Sequence, residues 1–198
     1  MMLIYDVIIP VYRPDEKLKR LINALLSQSL LPRRIILINT EREEFLKFSP
    51  QEEFLAQSPR LKLYHISKAE FNHGATRNYG VSLSDAPFFI CMTDDAVPAG
   101  DTMMEELLKP FSSESIGISY ARQLPDPDCG IIERYTRSFN YPETTKIKTA
   151  KDLPELGIKT FFASNVCAAY RRSYFDALGG FPDLSLIHIS EPTRLDVI

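Results

Sequence analysis

The chain has 198 residues, 44% hydrophobic and 25% charged, which is enough for a substantial core and ordinary for a globular protein. Its net charge of −3 gives no bulk attraction to nucleic acid. The three cysteines, Cys91, Cys129 and Cys167, are widely spaced with no C-x-x-C, which argues against a disulfide framework or a zinc site and fits a reducing compartment.

The N-terminus enters a strand-like run at once, without a secretory signal pattern, and no stretch approaches the roughly 18 apolar residues of a membrane helix. The expectation is a soluble, cytoplasmic piece, with work at the inner face of a membrane left open. Tyr5-Asp-Val-Ile-Ile-Pro-Val11 reads as a central strand, with Pro10 tolerated near its end because proline cannot donate to the ladder. Pro14 and Asp15 open a helix in which Leu18, Leu21, Ile22, Leu25 and Leu26 recur at helical spacing. Ile35 to Ile38 is a second buried strand, so these elements form a βαβ unit with parallel strands and a right-handed crossover.

Residues 40–57 are charged, helix-prone and broken by Pro50, and are expected to be a solvated helix over the sheet. Leu61 to Ile66 alternates and reads as a third strand. Phe71-Asn-His-Gly-Ala-Thr-Arg-Asn-Tyr-Gly80 is a polar turn leading into a helix whose apolar face includes Tyr79, Val81 and Leu83. Asp85-Ala-Pro87 ends it, and a buried strand, Phe88 to Met92, follows. That strand runs into Thr93, Asp94 and Asp95. Ligands of open α/β sheets sit beyond the carboxyl ends of the strands. Two adjacent carboxylates there repel unless a cation joins them, and a hard divalent cation facing diphosphate oxygens would relieve that repulsion. The alternative is a solvated turn that caps the next helix.

That helix, opened by Asp101 or Thr102, carries Met103, Met104, Leu107 and Leu108 as core residues. Ile116 to Tyr120 is a further strand, and 123–128 a Pro/Asp loop. Residues 130–160 are the least periodic part and are expected to be a mobile segment over the site rather than a second domain. Phe161 to Tyr170 returns as a strand, Arg172 to Leu178 as a short helix, and Gly179-Gly180 ends it. Strands alternating with helices predict an α/β sandwich with a largely parallel central sheet and helices on both faces.

Several local patterns now fall in a recognisable order. They are Ile9-Pro-Val-Tyr12, Phe71-Asn-His-Gly-Ala-Thr-Arg-Asn78, Thr93-Asp-Asp-Ala96, Ala121-Arg-Gln-Leu-Pro125, Phe139-Asn-Tyr-Pro142, Ser164-Asn-Val-Cys-Ala-Ala-Tyr170 and Gly179-Gly-Phe181. Over roughly Tyr5 to Phe181 the chain resembles family 2 glycosyltransferases of the GT-A fold, and bacterial rhamnosyltransferase-like members in particular. The resemblance implies a GT-A-type, Rossmann-like catalytic domain over 1–183. It also implies transfer of a sugar, rhamnose by overall likeness, with inversion, from a nucleoside diphosphate donor to an acceptor hydroxyl in polysaccharide or glycan synthesis. Mg²⁺ or Mn²⁺ would be the cofactor, a UDP- or dTDP-sugar the donor, and a glycan or lipid-linked molecule the acceptor.

By position, the resemblance puts Pro10, Val11 and Tyr12 at the base pocket. Asn39 stands where members often carry an Asp that accepts the N3 proton of uracil or thymine; an amide oxygen can accept the same bond, and a turn residue is the other reading. Arg77 would approach the diphosphate or the base while Asn78 fixes the loop, and His73 either contacts the donor or braces that loop. Asp95 matches the metal-binding acid, with Thr93 where a first acid commonly lies and Asp94 between them in the nucleotide-sugar site. Arg122, Gln123 and Asn165 fall on the acceptor or sugar side, with a strand-end salt bridge and a satisfied buried amide as the alternatives.

Inversion also needs a base, which family members supply from an acidic pair shortly after Gly-Gly-Phe. Here Asp183 is the nearest acid, and Leu184 to Ile198 contains no such pair; His188, Glu191 and Asp196 are poorly spaced. The tail 184–198 is therefore expected to be non-native or irregular, and this chain to lack its catalytic base. A nucleotide-sugar-binding module without catalysis, or a truncated fragment, is the alternative to an enzyme. A nucleotidyltransferase and a dinucleotide oxidoreductase rank behind both, because neither Gly-rich phosphate loop is present.

Overall fold

In the computed structural model of the chain, which describes residues 3–125 and 128–182, the buried runs of the sequence form a six-stranded sheet. The strands are β1 (Tyr5–Tyr12), β2 (Arg34–Thr40), β3 (Leu61–Ile66), β4 (Phe88–Met92), β5 (Ile118–Tyr120) and β6 (Cys167–Arg171). They lie in the order β3-β2-β1-β4-β6-β5. β1 pairs in parallel with β2 and β4, and β2 with β3. β6 runs antiparallel between β4 and β5, an insertion that strand patterning alone does not reveal. Pro10 lies beyond the last β1–β4 pair, Ile8 with Cys91, where its missing N–H costs that ladder nothing.

Alternation along β1 divides the core in two. Val7, Ile9 and Val11 join the larger cluster, and Ile8 the smaller one on the opposite face. On the first face lies α1 (Glu16–Leu26), capped by the Asp15 carboxylate, which accepts from the Lys17 N–H at 2.7 Å. Its Leu18, Leu21, Ile22 and Leu25 are buried as expected. On the same face, α2 (Arg42–Phe48) corrects the reading of 40–57 as merely solvated. Phe45 and Phe54 are buried and meet edge to face, with ring centroids 6.5 Å apart. The surrounding charges hide these inward-facing aromatics from a composition-based reading. α4 (Met103–Leu108) buries Met104, Leu107 and Leu108.

The other face carries α3 (His73–Ser82), packed over β1 and β2. Gly80 permits that approach, since a Cβ there would lie 2.4 Å from the Ile8 Cγ2 and 3.3 Å from the Ile38 Cγ1. Gly80→Ala gains helix propensity yet must push the helix off the sheet. The expected net loss is about 1–3 kcal/mol of stability, read as a lower urea midpoint at unchanged slope. An unchanged or higher midpoint would refute this packing.

Residues 130–160 depart from the irregular segment expected. They contain α5 (Ile131–Asn140) and α6 (Leu153–Leu156), with 3-10 turns at Ala150–Asp152 and Gly157–Phe161. Isoleucine, tyrosine and threonine favour strands locally, and this helix buries no residue, so the usual core-facing signal is missing. β5 is also shorter than expected, beginning at Ile118 rather than Ile116. Finally α7 (Arg172–Ala177) leads to Gly179 and Gly180, whose φ values of 81° and 83° suit glycine. Cys91 and Cys167 are packed thiols as expected, and burial pushes both up to about 12.

Candidate active site

Parallel pairing brings the carboxyl ends of β1, β2, β3 and β4 to one rim of the sheet. The start of β6 joins them, because Met92 pairs with Cys167 and the Thr93 N–H donates to the Val166 carbonyl at 3.1 Å. The end of β5 lies there too, with the Ala121 N–H donating to the Cys167 carbonyl at 2.9 Å. The described candidates from Pro10 to Tyr12, Asn39, and Asp94 and Asp95 lie along this rim, and Arg77 and Asn78 lie on α3.

Three of them share a cavity of about 220 Å³: Tyr12, Asp94 and Asp95. Arg13, Asp15, Lys17 and Leu18 complete the lining. Sequence reasoning missed these four as site residues; their signal was closeness to Tyr12, in the turn that links β1 to α1 and the first turn of α1. Arg13 has a φ of 52°, a left-handed conformation costly for a residue with a Cβ, and its guanidinium lies 5.0 Å from the Tyr12 ring centroid. Glu41, just after β2, is likewise left-handed at φ 65°. Backbone strain thus collects at two strand ends on this rim, as it does at ligand sites.

Asp94 is half-buried and Asp95 exposed. Burial raises the Asp94 carboxyl above the ordinary carboxylate range; a Tyr12 main-chain hydrogen bond opposes this, and the charges of Asp95 and Asp15 add to the rise. An all-oxygen donor set under mutual repulsion fits a hard divalent cation, which would lower that cost. Among the described residues no three His, Cys, Asp or Glu side chains gather into a complete metal cage. A cation held by one or two carboxylates, with phosphate oxygens and water as its other ligands, needs none.

The remaining candidates are placed less uniformly. The Val11 side chain is in the core, so only its main chain faces the rim, and Pro10 is half-buried. Asn39 pairs with Val11 across β1 and β2 and is fully buried. Its Nδ2 donates to the Glu41 carbonyl at 2.9 Å and lies 3.0 Å from His65 Nδ1, while its Oδ1 has no partner. Arg77 donates to the His73 carbonyl at 2.8 Å, and its buried Nε has no partner. Burial, then the charge of Arg77, lowers the His73 imidazole, which favours its neutral form. Gln123 spans the Tyr141 hydroxyl at 2.5 Å and the Ser164 hydroxyl at 2.8 Å and accepts from Arg137, so its amide is committed to tethering α5. Arg122 pairs with Glu143 at 3.2 Å, and Asn165 accepts from the Tyr170 hydroxyl.

Asn78 clamps a turn far along the chain. It donates to the Phe181 carbonyl at 2.8 Å and accepts from the Phe181 N–H at 3.0 Å. Gly74 lies so close to the same turn that a Cβ would stand 2.3 Å from the Pro182 carbonyl oxygen. Two motifs about a hundred residues apart therefore meet at the first turns of α3. The expected position of the base, just after Phe181, begins outside the described residues, as do Asp183, His188, Glu191, Asp196 and the tail 184–198.

Residues 6–179 match the model of glycosyl transferase family 2. The chain belongs to that family. Among curated relatives, the O-antigen chain rhamnosyltransferase WbaN of Salmonella anatum is 34% identical over 185 residues, covering 92% of this chain and 57% of the relative. The O-antigen chain rhamnosyltransferase RfbN of Salmonella typhimurium is 33% identical over 182 residues, covering 91% and 56%. The chain thus spans little more than half the length of these relatives. A mannosyltransferase of Pyrobaculum calidifontis, solved with GDP-Man and Mn²⁺, superposes with a TM-score of 0.62 at 15% identity, covering 90% of this chain and 47% of that one. TarS of S. aureus superposes with a TM-score of 0.65 at 14% identity, covering 91% and 31%. The fold of this family 2 chain is the GT-A-type sandwich expected, with a mostly parallel sheet. Among the described residues no helix is long and apolar enough to cross a membrane.

Proposed function

We propose that this family 2 domain transfers a sugar from a nucleoside diphosphate donor to an acceptor hydroxyl, with a divalent cation, Mg²⁺ or Mn²⁺, on Asp95. The observation that carries the reading is the cavity in which Asp94 and Asp95, at the end of β4, face Tyr12 and Arg13, at the end of β1. A bound cation there would stabilise charge on the departing diphosphate. Tyr12 and the rim at Asn39 would receive the base. The unpartnered Asn39 Oδ1, buried at the end of β2, would accept an imide N–H of uracil or thymine once its cover moves aside, which favours a UDP- or dTDP-sugar. Arg77 would approach the diphosphate from α3. Arg122, Gln123 and Asn165 lie toward the acceptor, Gln123 by holding α5 in place.

The relatives are O-antigen chain rhamnosyltransferases, which supports rhamnose as the sugar and a glycan as the acceptor. Since both are transferases, an inactive binding module is the weaker reading. Calorimetric titration with UDP and dTDP, with and without Mn²⁺, tests the donor site. Binding that requires Mn²⁺ and prefers one nucleotide is expected. Absence of binding by a demonstrably folded chain would overturn the assignment.

A further inference from the structure

α5 is an amphipathic helix that stands exposed on its apolar side as well as on its polar one. Its polar residues Glu133, Thr136, Arg137 and Asn140 line a cavity of about 380 Å³ together with Gln123 and Tyr141. At 100° per residue, Ile131, Ile132, Tyr135 and Phe139 fall on another arc, away from the cavity. Ile131 and Ile132 are 88% and 83% exposed, and Tyr135 and Phe139 are also open to solvent. Two hydrogen bonds hold the helix in this orientation, from Arg137 to Gln123 and from the same amide to the buried Tyr141 at its end. The turn Gly157–Phe161 extends the surface: Lys159 Nζ sits 3.8 Å from the Phe139 ring centroid, and Ile158 and Phe161 beside it are exposed.

We propose that this face is a docking surface for an anionic lipid bilayer, with α5 lying in the headgroup layer. Charge selects that occupant. The chain as a whole is acidic at −3, yet residues 130–160 hold six Lys and Arg against four Asp and Glu. A basic segment carrying outward isoleucine and aromatic rings is the composition of an interfacial helix, where apolar side chains enter the acyl boundary and cations meet lipid phosphates. Tyr135, apolar in its ring and polar at its hydroxyl, suits that depth. The placement also has a consequence for the acceptor. The inner face of the same helix lines the cavity at Gln123, so a lipid-linked acceptor anchored in the bilayer would present its sugar beside the rim. That consequence, though not the membrane contact itself, rests on the transferase reading above.

The test is co-sedimentation of the chain with vesicles of phosphatidylethanolamine containing roughly one-third phosphatidylglycerol, against vesicles of phosphatidylcholine alone. Wild type is expected to bind the anionic vesicles preferentially, and raised salt to weaken binding. The double variant I131S/I132S removes two outward side chains without touching the core. Its partition coefficient is expected to fall at least about tenfold, with circular dichroism unchanged. Equal sedimentation of variant and wild type, or no binding of wild type to either vesicle, overturns the proposal. So does self-association of wild type that the variant abolishes, which would assign the face to a second copy. Titration of the same samples with UDP and Mn²⁺ separates the two readings. Vesicle binding without nucleotide binding sinks the transferase site and leaves the membrane contact, and the reverse sinks only the contact.

Discussion

In Asp95→Ala, binding of UDP or dTDP in the presence of Mn²⁺ falls at least about a hundredfold, because even outer-sphere partners of a metal cost ten- to hundredfold when removed. Metal-independent binding changes little. Asp95 is exposed at the end of β4 and shares its cavity with Tyr12, so it reaches a ligand without rearrangement. Asp94 behaves differently, since burial and then the neighbouring carboxylates hold its proton to higher pH than in the unfolded chain. The folded state therefore binds more protons at this group. Stability from Asp94 is present at low pH and lost as pH rises through the raised value. In EDTA at neutral pH, Asp94→Asn should raise Tm slightly and flatten that slope, and Mn²⁺ should stabilise wild type more than Asp95→Ala. Calorimetry and thermal scans check both. Full Mn²⁺-dependent affinity in Asp95→Ala would mean that the acid pair is only a turn.

Asp6→Ala is expected to cost about 3 kcal/mol, lowering Tm by roughly 6–12 °C. The Asp6 side chain is wholly buried at the opposite end of β1. It accepts from Arg33 Nε at 3.0 Å and Nη2 at 2.7 Å, from Arg34 at 3.2 and 3.0 Å, and from the Ser84 hydroxyl at 2.7 Å. Removing the carboxylate takes a buried partner from two guanidinium groups, but both keep Asp85, at 2.5 and 2.7 Å, and are 37% and 28% exposed, which keeps the loss near the low end. Burial raises the Asp6 carboxyl, and the hydrogen bonds from Arg33, Ser84 and Arg34 more than offset this and hold it below the usual range. Its contribution is present above the unfolded value of about 3.9 and is lost as pH falls through the lower folded value. Tyr12 lies six residues further along the strand, about 20 Å by strand rise. Nucleotide affinity of the folded variant should therefore match wild type. A stability loss within about 0.5 kcal/mol, the range of ordinary surface substitutions, would contradict this account.

Sequence alone gave the parallel half of the sheet, because Val7 to Val11, Ile35 to Ile38 and Phe88 to Met92 are buried on both faces and read as unbroken apolar runs. The acid pair was legible for the same reason, since a run that ends in two carboxylates must surface there. The strand read over Phe161 to Tyr170 is shorter, Cys167 to Arg171, since Phe161 ends a 3-10 turn, and its antiparallel insertion was not legible because pairing partners leave no mark in local periodicity. α5 was hidden because its outward face is the apolar one. The site was legible where chemistry is unusual, at Asp94 and Asp95, and not at Arg13 or Lys17, whose role comes from the turn that aims them. Gln123 shows the limit from the other side: its neighbours in sequence do not reveal that Tyr141, Ser164 and Arg137 occupy its amide.

The place of β6 between β4 and β5 bears on how the chain is made. β5 leaves the ribosome before β6, its one strand partner among the described residues, exists, and the stretch from Ala121 to Val166 must follow first. At about 5–20 residues per second that interval lasts several seconds. Throughout it the outer edge of β4, itself a fully apolar strand, stands unpaired, and an open edge of this kind is a template for pairing between chains. Synthesis paused before Cys167 prolongs that exposure, so slower translation across this interval should lower the yield of soluble protein.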